Sequence, residues 1–196
     1  MNTTGKTVSL RRGRLLTLCL CGMFTALSAA GAFIRIPIPY LPITLQTFFT
    51  TLAGLLLGAR AGAASVGCYV LLGLAGVPVF TEGGGIMYVL KPSFGYLIGA
   101  VAGAYITGRI AHKVKDPSLG RLTAASFAGT GVIYLIGMVY FFAAKNLWIE
   151  GDGMSVWALL TACFFPCIPG DIIKCIGAAL IAKKLRPQLQ RAKTQS

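Results

Sequence analysis

Charged side chains are scarce in this sequence of 196 residues: only 12% are Asp, Glu, Lys or Arg, and only five are acidic. In a soluble domain about a quarter of the residues are charged. There is one histidine, and the six cysteines form no Cys-x-x-Cys pair, so the usual ligand spacing of a zinc site is missing. No Ser-His-Asp grouping is visible either. The sequence therefore argues against a soluble protein, a bound metal or cofactor, and an enzyme.

The chain also lacks a nucleotide-binding loop. Its only run of three glycines, at 83–85, is not followed by the Gly-Lys-Ser/Thr ending that a phosphate-binding loop requires. The sequence predicts that this chain does not hydrolyse ATP by itself.

Long apolar segments fill the sequence instead, since 56% of the residues are hydrophobic and the mean hydropathy is +0.75. A helix needs about 20 mostly apolar residues to cross roughly 30 Å of hydrocarbon. The predicted spans are roughly 15–34, 43–58, 61–76, 94–111, 122–143 and a sixth from Pro169 to Lys183. The segments 43–58 and 61–76 are short for a span, and we expect them to extend into their flanks. The sequence thus predicts an all-α integral membrane protein with six transmembrane helices.

The net charge of +13 is explained by topology. Most Lys and Arg residues lie before the first predicted span, after the last, or in the connections after the second and fourth. Arg35, Lys91 and Lys145 fall on the opposite face, and Lys174 lies within the last span. Cytoplasmic loops are enriched in Lys and Arg, so both termini should be cytoplasmic, which six spans allow. No basic stripe lies beside exposed aromatic residues, and nucleic-acid binding is not expected.

We expect a single membrane domain over residues 1–196. It would comprise a cytoplasmic segment 1–14, a six-helix bundle 15–185 and a basic cytoplasmic tail 186–196. The first apolar run could also be a secretory signal, but its length near 20 residues exceeds the 7–15 typical of a signal core. A retained first helix is favoured.

Two segments on the predicted outer face interrupt the helical pattern. The first, 35–46, has prolines at 37, 39 and 42, which forbid a helix and favour a stiff, extended segment. Because it is also apolar, it is either a lid over a site or an ordinary interfacial anchor, and the sequence does not choose between them. The second, 77–94, combines three glycines with several aromatic residues. Long loops in compact domains are usually functional or disordered, and we interpret this one as closing over a small molecule.

The strongest chemical signal is the segment 166–174, Pro-Cys-Ile-Pro-Gly-Asp-Ile-Ile-Lys. Pro169 suits the first turn of a helix, and Asp171 then lies where the helix dipole favours an anion. Lys174 follows three residues later on the same face. Ionisable groups within membrane segments usually mark a substrate path, although the pair could instead only fix helix packing. The preceding apolar stretch, 156–167, is too short to span and is predicted to be re-entrant or interfacial.

These residues carry a family resemblance. The segments 37–46, 55–60, 71–80, 91–99 and 169–174 resemble, in order and spacing, those of the BioY family, and the resemblance covers roughly residues 25–182. BioY proteins are the biotin-specific substrate-binding components of energy-coupling factor (ECF) importers. Ser93 stands where the family pattern has Thr. The resemblance implies a multi-pass protein of a bacterial-type plasma membrane that binds biotin near the outer surface.

Biotin presents two N–H donors and a carbonyl on its ureido ring, an apolar fused ring and a carboxylate tail. With this ligand implied, hydrogen-bonding and ionic roles fall to Gln46, Lys91, Asp171 and Lys174. Ring packing falls to Phe80, Tyr88 and Tyr96. Which cation meets which end of the ligand stays open.

The resemblance also implies partners: a membrane coupling protein and two cytoplasmic ATPase subunits. An alanine stripe on the first helix contacts the coupling protein in relatives, and this role carries over to Ala26 and Ala30. Similar small-residue stripes at 54–58 and 95–103 let helices approach closely, most often within one chain. The function implied is high-affinity biotin binding and uptake by a subunit that is not an enzyme. The alternative is a substrate-binding subunit for another small vitamin or nutrient, or a solitary carrier.

Overall fold

The computed structural model describes residues 3–36, 42–147 and 155–195. The prolines at 37 and 39, with the rest of 37–41, lie outside the described residues. The described helices are α1 (Thr3–Phe33), α2 (Gln46–Leu57), α3 (Ala59–Leu74), α4 (Phe94–Ala111), α5 (Leu119–Leu147), α6 (Val156–Leu159) and α7 (Ile168–Gln195). A 3-10 helix (Ile86–Leu90) precedes α4, and a π-helical turn (Leu160–Phe164) follows α6. Two short antiparallel strands, β1 (Arg35–Ile36) and β2 (Ile43–Thr44), pair with Arg35 opposite Thr44.

The all-helical prediction is confirmed, and three helices in the described part of the chain are long and apolar enough to cross a membrane. They are Gly13–Phe33 within α1, all of α4 and all of α5. The expectation that the segments 43–58 and 61–76 extend into their flanks is wrong, because α2 has 12 residues and α3 has 16. Gly58, with φ 89° and an extended ψ, ends α2 and starts α3 within one residue. At 1.5 Å per residue α2 is about 18 Å long, well short of the roughly 30 Å hydrocarbon layer.

The helices run between two ends of one bundle. We call the end that carries the β1–β2 hairpin, residues 75–93 and the start of α7 the loop end. The opposite end, with the Gly58 turn, residues 112–118 and the last turns of α7, is the basic end. Helix α2 lies in the middle of the bundle and packs against α1, α3, α4 and α7. Every residue from Thr50 to Gly58 is buried, so the short helix α2 supplies five of the twelve buried residues in the core cluster at the basic end.

Cationic side chains close the C-terminal end of α4 at the basic end. Arg186 is only 6% exposed and donates through Nη1 to the carbonyl oxygen of Ala111 at 3.0 Å. Arg121 donates through Nε to the carbonyl oxygen of Ile110 at 3.0 Å. The last carbonyls of a helix have no partner within it, and the helix dipole makes this end negative. Part of the positive charge at this end therefore holds α4, α5 and α7 together.

The segment between α3 and α4 folds back onto α3. The ring of Phe80 lies directly over Gly73, where a Cβ atom would come within 2.1 Å of the ring. The amide of Gly85 donates to the carbonyl oxygen of Gly73 at 2.7 Å. Phe80 also packs edge-on against Tyr69 and tilted against Tyr88. Residues 75–93 are thus fastened to the bundle by a buried aromatic cluster.

Glycines bring α4 and α5 into backbone contact, and this pair of helices has the most extensive interface in the described structure. A Cβ atom on Gly103 would lie 2.7 Å from the carbonyl oxygen of Gly129, and one on Gly129 would lie 2.8 Å from that of Gly103. A Cβ on Gly99 would similarly approach Ile133. The predicted use of the 95–103 stripe for close packing within the chain is confirmed.

Two glycines of α5 make a matched test of this contact. Gly129→Ala should destabilise the protein by about 1–3 kcal/mol, the usual cost of overpacking a tight core. At Gly131, which is exposed and where a Cβ would meet no atom within 4 Å, alanine should leave stability unchanged or raise it by up to about 1 kcal/mol through helix propensity. Thermal unfolding of both variants in the same detergent measures the difference; equal melting temperatures would contradict close packing at Gly129.

Candidate functional site: a cavity at the loop end

A cavity opens at the loop end between the start of α2, the start of α4, the middle of α5 and the start of α7. The space between its wall atoms, including its open mouth, is about 730 Å³. The hairpin strand β2 and the segment 81–93 form the rest of the wall. Because most of these elements meet at helix ends, their first turns can direct polar groups into an otherwise apolar bundle.

Asp171 and Lys174 form an ion pair in the wall of this cavity. The Lys174 Nζ atom lies 2.5 Å from Asp171 Oδ1, and the two side chains, in the order lysine and aspartate, are 13% and 9% exposed. The sequence prediction that both lie on one face of the helix is confirmed. Taking two charges out of water costs several kcal/mol per ion unless further hydrogen bonds compensate, so the remaining partners of this pair decide whether it is stable.

Those partners come from three other elements. Tyr134 of α5 donates its hydroxyl hydrogen to Asp171 Oδ2. Lys174 Nζ donates to the carbonyl oxygen of Thr44 at 3.0 Å and to Oγ1 of Thr47 at 2.8 Å. With Asp171, these contacts use all three N–H donors of the lysine. The carboxylate keeps spare capacity, because its two oxygens offer about four lone-pair positions. The cavity therefore presents an anionic acceptor that can take further hydrogen bonds.

An aromatic wall faces this pair. Tyr96 of α4 packs edge-on against Tyr134, with ring centroids 6.1 Å apart. The hydroxyl of Tyr96 is buried and has no hydrogen-bond partner among the described residues. A buried polar atom without a partner costs about 1–3 kcal/mol, and native proteins rarely leave one. Tyr96 is also among the residues that line the cavity, so its hydroxyl group is a candidate to bind a ligand there.

Five of the seven residues predicted to bind the ligand line this cavity: Gln46, Tyr88, Tyr96, Asp171 and Lys174. Gln46 is buried, 8% exposed, at the first position of α2. Lys91 and Phe80 are not among the lining residues. Lys91 is half-exposed at the rim, paired with Glu82 at 2.6 Å and 4.9 Å from the centre of the Tyr88 ring. Phe80, only 1% exposed, packs behind Tyr88 and supports that wall.

Several polar residues of the cavity were not identified from the sequence. Tyr134 is the most important, because it holds Asp171. Its signal was the pair Thr130 and Tyr134, four residues apart on one face of an otherwise apolar helix. Thr44, Thr47 and Thr50 also line the cavity. The spacing of three residues between these threonines, just after the proline-rich segment, is the pattern in the sequence that could have identified them.

Ala26 and Ala30 are both exposed on α1. They lie one turn apart, and Gly22 one turn earlier is exposed as well, where an added Cβ atom would meet nothing within 4 Å. Thr25 and Ser28, by contrast, turn toward the bundle: Thr25 donates to the carbonyl oxygen of Ser65 at 2.9 Å, and Ser28 is fully buried. The small-residue stripe of α1 thus forms an outer surface of the bundle, which leaves it accessible to a partner.

Comparison with known proteins gives consistent matches over nearly the whole chain. The model of the BioY family matches residues 3–191. A probable biotin transporter BioY from Lysinibacillus sphaericus is 41% identical over 177 residues, which are 90% of this chain and 89% of that protein. The biotin transporter BioY of Thermotoga maritima is 37% identical over 84% of this chain and 92% of its own. A crystal structure of the S-component for biotin from an ECF-type ABC transporter superposes with a TM-score of 0.77 at 28% identity, covering 95% of both chains.

Two Tyr→Phe variants distinguish the hydroxyl of Tyr96, which has no partner in the described residues, from that of Tyr134, which donates to Asp171. Tyr96→Phe removes a buried group without a partner, so the ligand-free protein should keep its stability or gain about 1 kcal/mol. Tyr134→Phe removes a donor to a buried carboxylate and should cost about 1.5–3 kcal/mol. Melting temperatures of the two ligand-free proteins test this. A marked loss of stability in Tyr96→Phe would mean that its hydroxyl already has a partner within the protein.

Proposed function

Because the chain belongs to the BioY family, we propose that it binds biotin with high affinity and takes it up as the substrate-capture subunit of an ECF-type ABC importer. The observation that carries the proposal is the buried Asp171–Lys174 pair in the wall of a cavity, within a bundle that the family model matches over residues 3–191. The subunit captures its ligand and performs no chemical conversion.

The polar groups of the cavity are complementary to biotin. Asp171 accepts from the ureido N–H groups, using the lone pairs that Tyr134 and Lys174 leave free. The hydroxyl of Tyr96 gains a partner in the ureido carbonyl or the carboxylate, and Gln46 supplies a further donor or acceptor. Tyr88 packs against the fused ring. Lys91, next to Tyr88, is a cation available to the carboxylate tail. Lys174, whose three N–H donors are used within the protein, adds positive charge to the cavity wall.

The two ends of the bundle support a membrane arrangement. We propose six membrane segments, of which α2 is too short to cross the hydrocarbon layer by itself, with both termini on the cytoplasmic side of the plasma membrane. Two contacts support placing both termini on one side. Cys21 of α1 contacts the carbonyl oxygen of Ala61, and Arg186 of α7 contacts that of Ala111, so the N-terminal part of α1 and the C-terminal part of α7 both lie toward the basic end. The positive charge at that end is typical of the cytoplasmic face. The cavity at the loop end then opens outward, where a vitamin arrives.

Energy for uptake comes from partner proteins in this proposal. The chain contains no phosphate-binding loop, so a coupling membrane protein and two cytoplasmic ATPase subunits supply it. The exposed stripe with Ala26 and Ala30 is the surface for the coupling protein, since residues this small allow close helix approach.

Calorimetric titration of the purified chain with biotin, without nucleotide, tests the ligand and the site together. Wild-type protein should release heat with biotin. Asp171→Asn and Lys174→Met should each weaken binding about 10- to 150-fold, because hydrogen bonds to charged groups contribute roughly 1.5–3 kcal/mol. The double variant should lose less binding free energy than the two single variants lose together, since the two residues contact each other.

Lys184→Met, an exposed residue near the basic end, is the matched control and should bind like wild type. Melting temperatures on the same preparations separate a binding role from a purely structural one. Reduced stability with unchanged affinity would remove the pair from the binding site. Heat released with another vitamin but not with biotin would overturn the assignment of biotin as the ligand. It would favour the alternative, a substrate-binding subunit for a different nutrient.

The coupling surface has its own test. Ala26→Trp or Ala30→Trp should abolish biotin uptake in cells that hold the partner subunits, because the indole prevents close approach of the coupling protein. Biotin binding by the purified variants should equal that of wild type. Ala124→Trp, at an exposed position of α5, is the control and should transport normally. Loss of binding in the α1 variants would show instead that the stripe supports the fold; undiminished uptake would place the coupling protein elsewhere.

A further inference from the structure

An apolar groove runs along the outside of the bundle between α3 and α4, away from the ligand cavity. Its volume is about 560 Å³. Six of its lining residues define its course: Ala63, Gly67 and Leu71 on α3, and Ile98, Ala102 and Tyr105 on α4. Leu71 is 67% exposed, and a Cβ atom on Gly67 would meet nothing within 4 Å. The small residues leave an open channel in a surface that other helices of the described structure do not cover.

Two arginines lie about one helical turn beyond the lining residues of the groove, on the same faces of α3 and α4. Positions 60, 63, 67 and 71 follow one another at three or four residues, as do 98, 102, 105 and 109, so each set shares one face of its helix. Arg60 and Arg109 are therefore the next residues of both groove walls toward the basic end, and both are exposed. The backbones meet here, because a Cβ atom on Gly108 would lie 2.4 Å from the Ala59 nitrogen. Arg109 Nη1 also lies 3.5 Å from the Tyr105 hydroxyl oxygen.

We propose that this groove binds one acyl chain of an anionic phospholipid, with the lipid phosphate held by Arg60, Arg109 and the Tyr105 hydroxyl. The apolar groove matches the acyl chain of such a lipid, and the arginines at one of its ends match the phosphate. Guanidinium groups bind phosphate oxygens through paired hydrogen bonds. In the described part of the chain, the ion pairs between side chains are Lys91–Glu82 and Lys174–Asp171, and neither uses these arginines.

The length of the groove agrees with a lipid of a single leaflet. Eleven residues separate Arg60 from Leu71, and at 1.5 Å per residue they extend about 16 Å. One leaflet contributes half of the roughly 30 Å hydrocarbon layer, or about 15 Å. A partner helix that crosses the whole bilayer would need an apolar wall about twice as long. The site lies toward the basic end, where the proposed topology places the cytoplasmic leaflet, which is also the leaflet with anionic surface charge in many membranes.

Native mass spectrometry of the full chain in detergent, titrated with dioleoylphosphatidylglycerol or dioleoylphosphatidylcholine, tests the site. Wild-type protein should retain one phosphatidylglycerol more tightly than phosphatidylcholine. The double variant Arg60→Gln/Arg109→Gln should lose about 30-fold in affinity for phosphatidylglycerol, the effect of two basic residues facing an anionic headgroup. Gly67→Leu, which fills the channel but keeps both charges, should also weaken binding at least 10-fold.

The matched control is Lys184→Gln/Arg191→Gln, which removes the same charge from exposed positions of α7, a helix that packs on α1, α2 and α5. This control should retain phosphatidylglycerol like wild type, and all variants should bind biotin normally. Equal losses of phosphatidylglycerol affinity in the control and in Arg60→Gln/Arg109→Gln would show that only the net charge of the protein matters, and would overturn the proposed site. Unchanged lipid binding in Gly67→Leu, with impaired assembly with the coupling protein, would make the groove a protein-docking surface and overturn the proposal as well.

Discussion

The buried ion pair between Asp171 and Lys174 is the interaction on which the loop end depends. Two charges within an apolar bundle are stable only when their remaining hydrogen-bonding positions are filled. Tyr134 of α5 fills one of them, and Thr44 of β2 and Thr47 of α2 fill two more. Satisfying the pair therefore fixes α5, α7 and the β2–α2 junction relative to one another. The same contacts that remove an electrostatic cost also set the shape of the cavity.

This dependence explains why binding and folding are difficult to separate at this site. The pair lies in the cavity wall, and in the proposed function its atoms contact neighbouring helices and the ligand at once. Tyr96 differs, because its buried hydroxyl has no partner in the described residues and is held in place by the close contact of α4 with α5. The cavity wall thus combines one strongly coupled structural pair with one buried hydroxyl group that lacks a partner in the described residues. Preorganisation of this kind lowers the entropic cost of capture.

The sequence predicted what depends on local spacing. Apolar segments gave the helices, and a separation of three residues placed Asp171 and Lys174 on one face. The predicted extension of the segment 43–58 into its flanks fails, because residues 43–44 form β2 before the helix and Gly58, with a positive φ, ends it. The sequence also did not identify Tyr134, since the register between α5 and α7 depends on packing across 37 residues of sequence. Phe80 was predicted to face the ligand, but the fold of residues 75–93 over Gly73 turns its ring into the core.

The ring of Phe80 on Gly73 has a consequence for how ligand preference changes during evolution. Phe80 supports Tyr88, which lines the cavity, yet neither Phe80 nor Gly73 lies in the cavity wall. Any side chain at position 73 would displace the ring, and Tyr88 would move with it. A single substitution on the far side of the wall can therefore widen or narrow the pocket while every residue that lines it is retained. In the proposed function, two relatives with identical cavity residues can therefore differ in the molecule that they prefer.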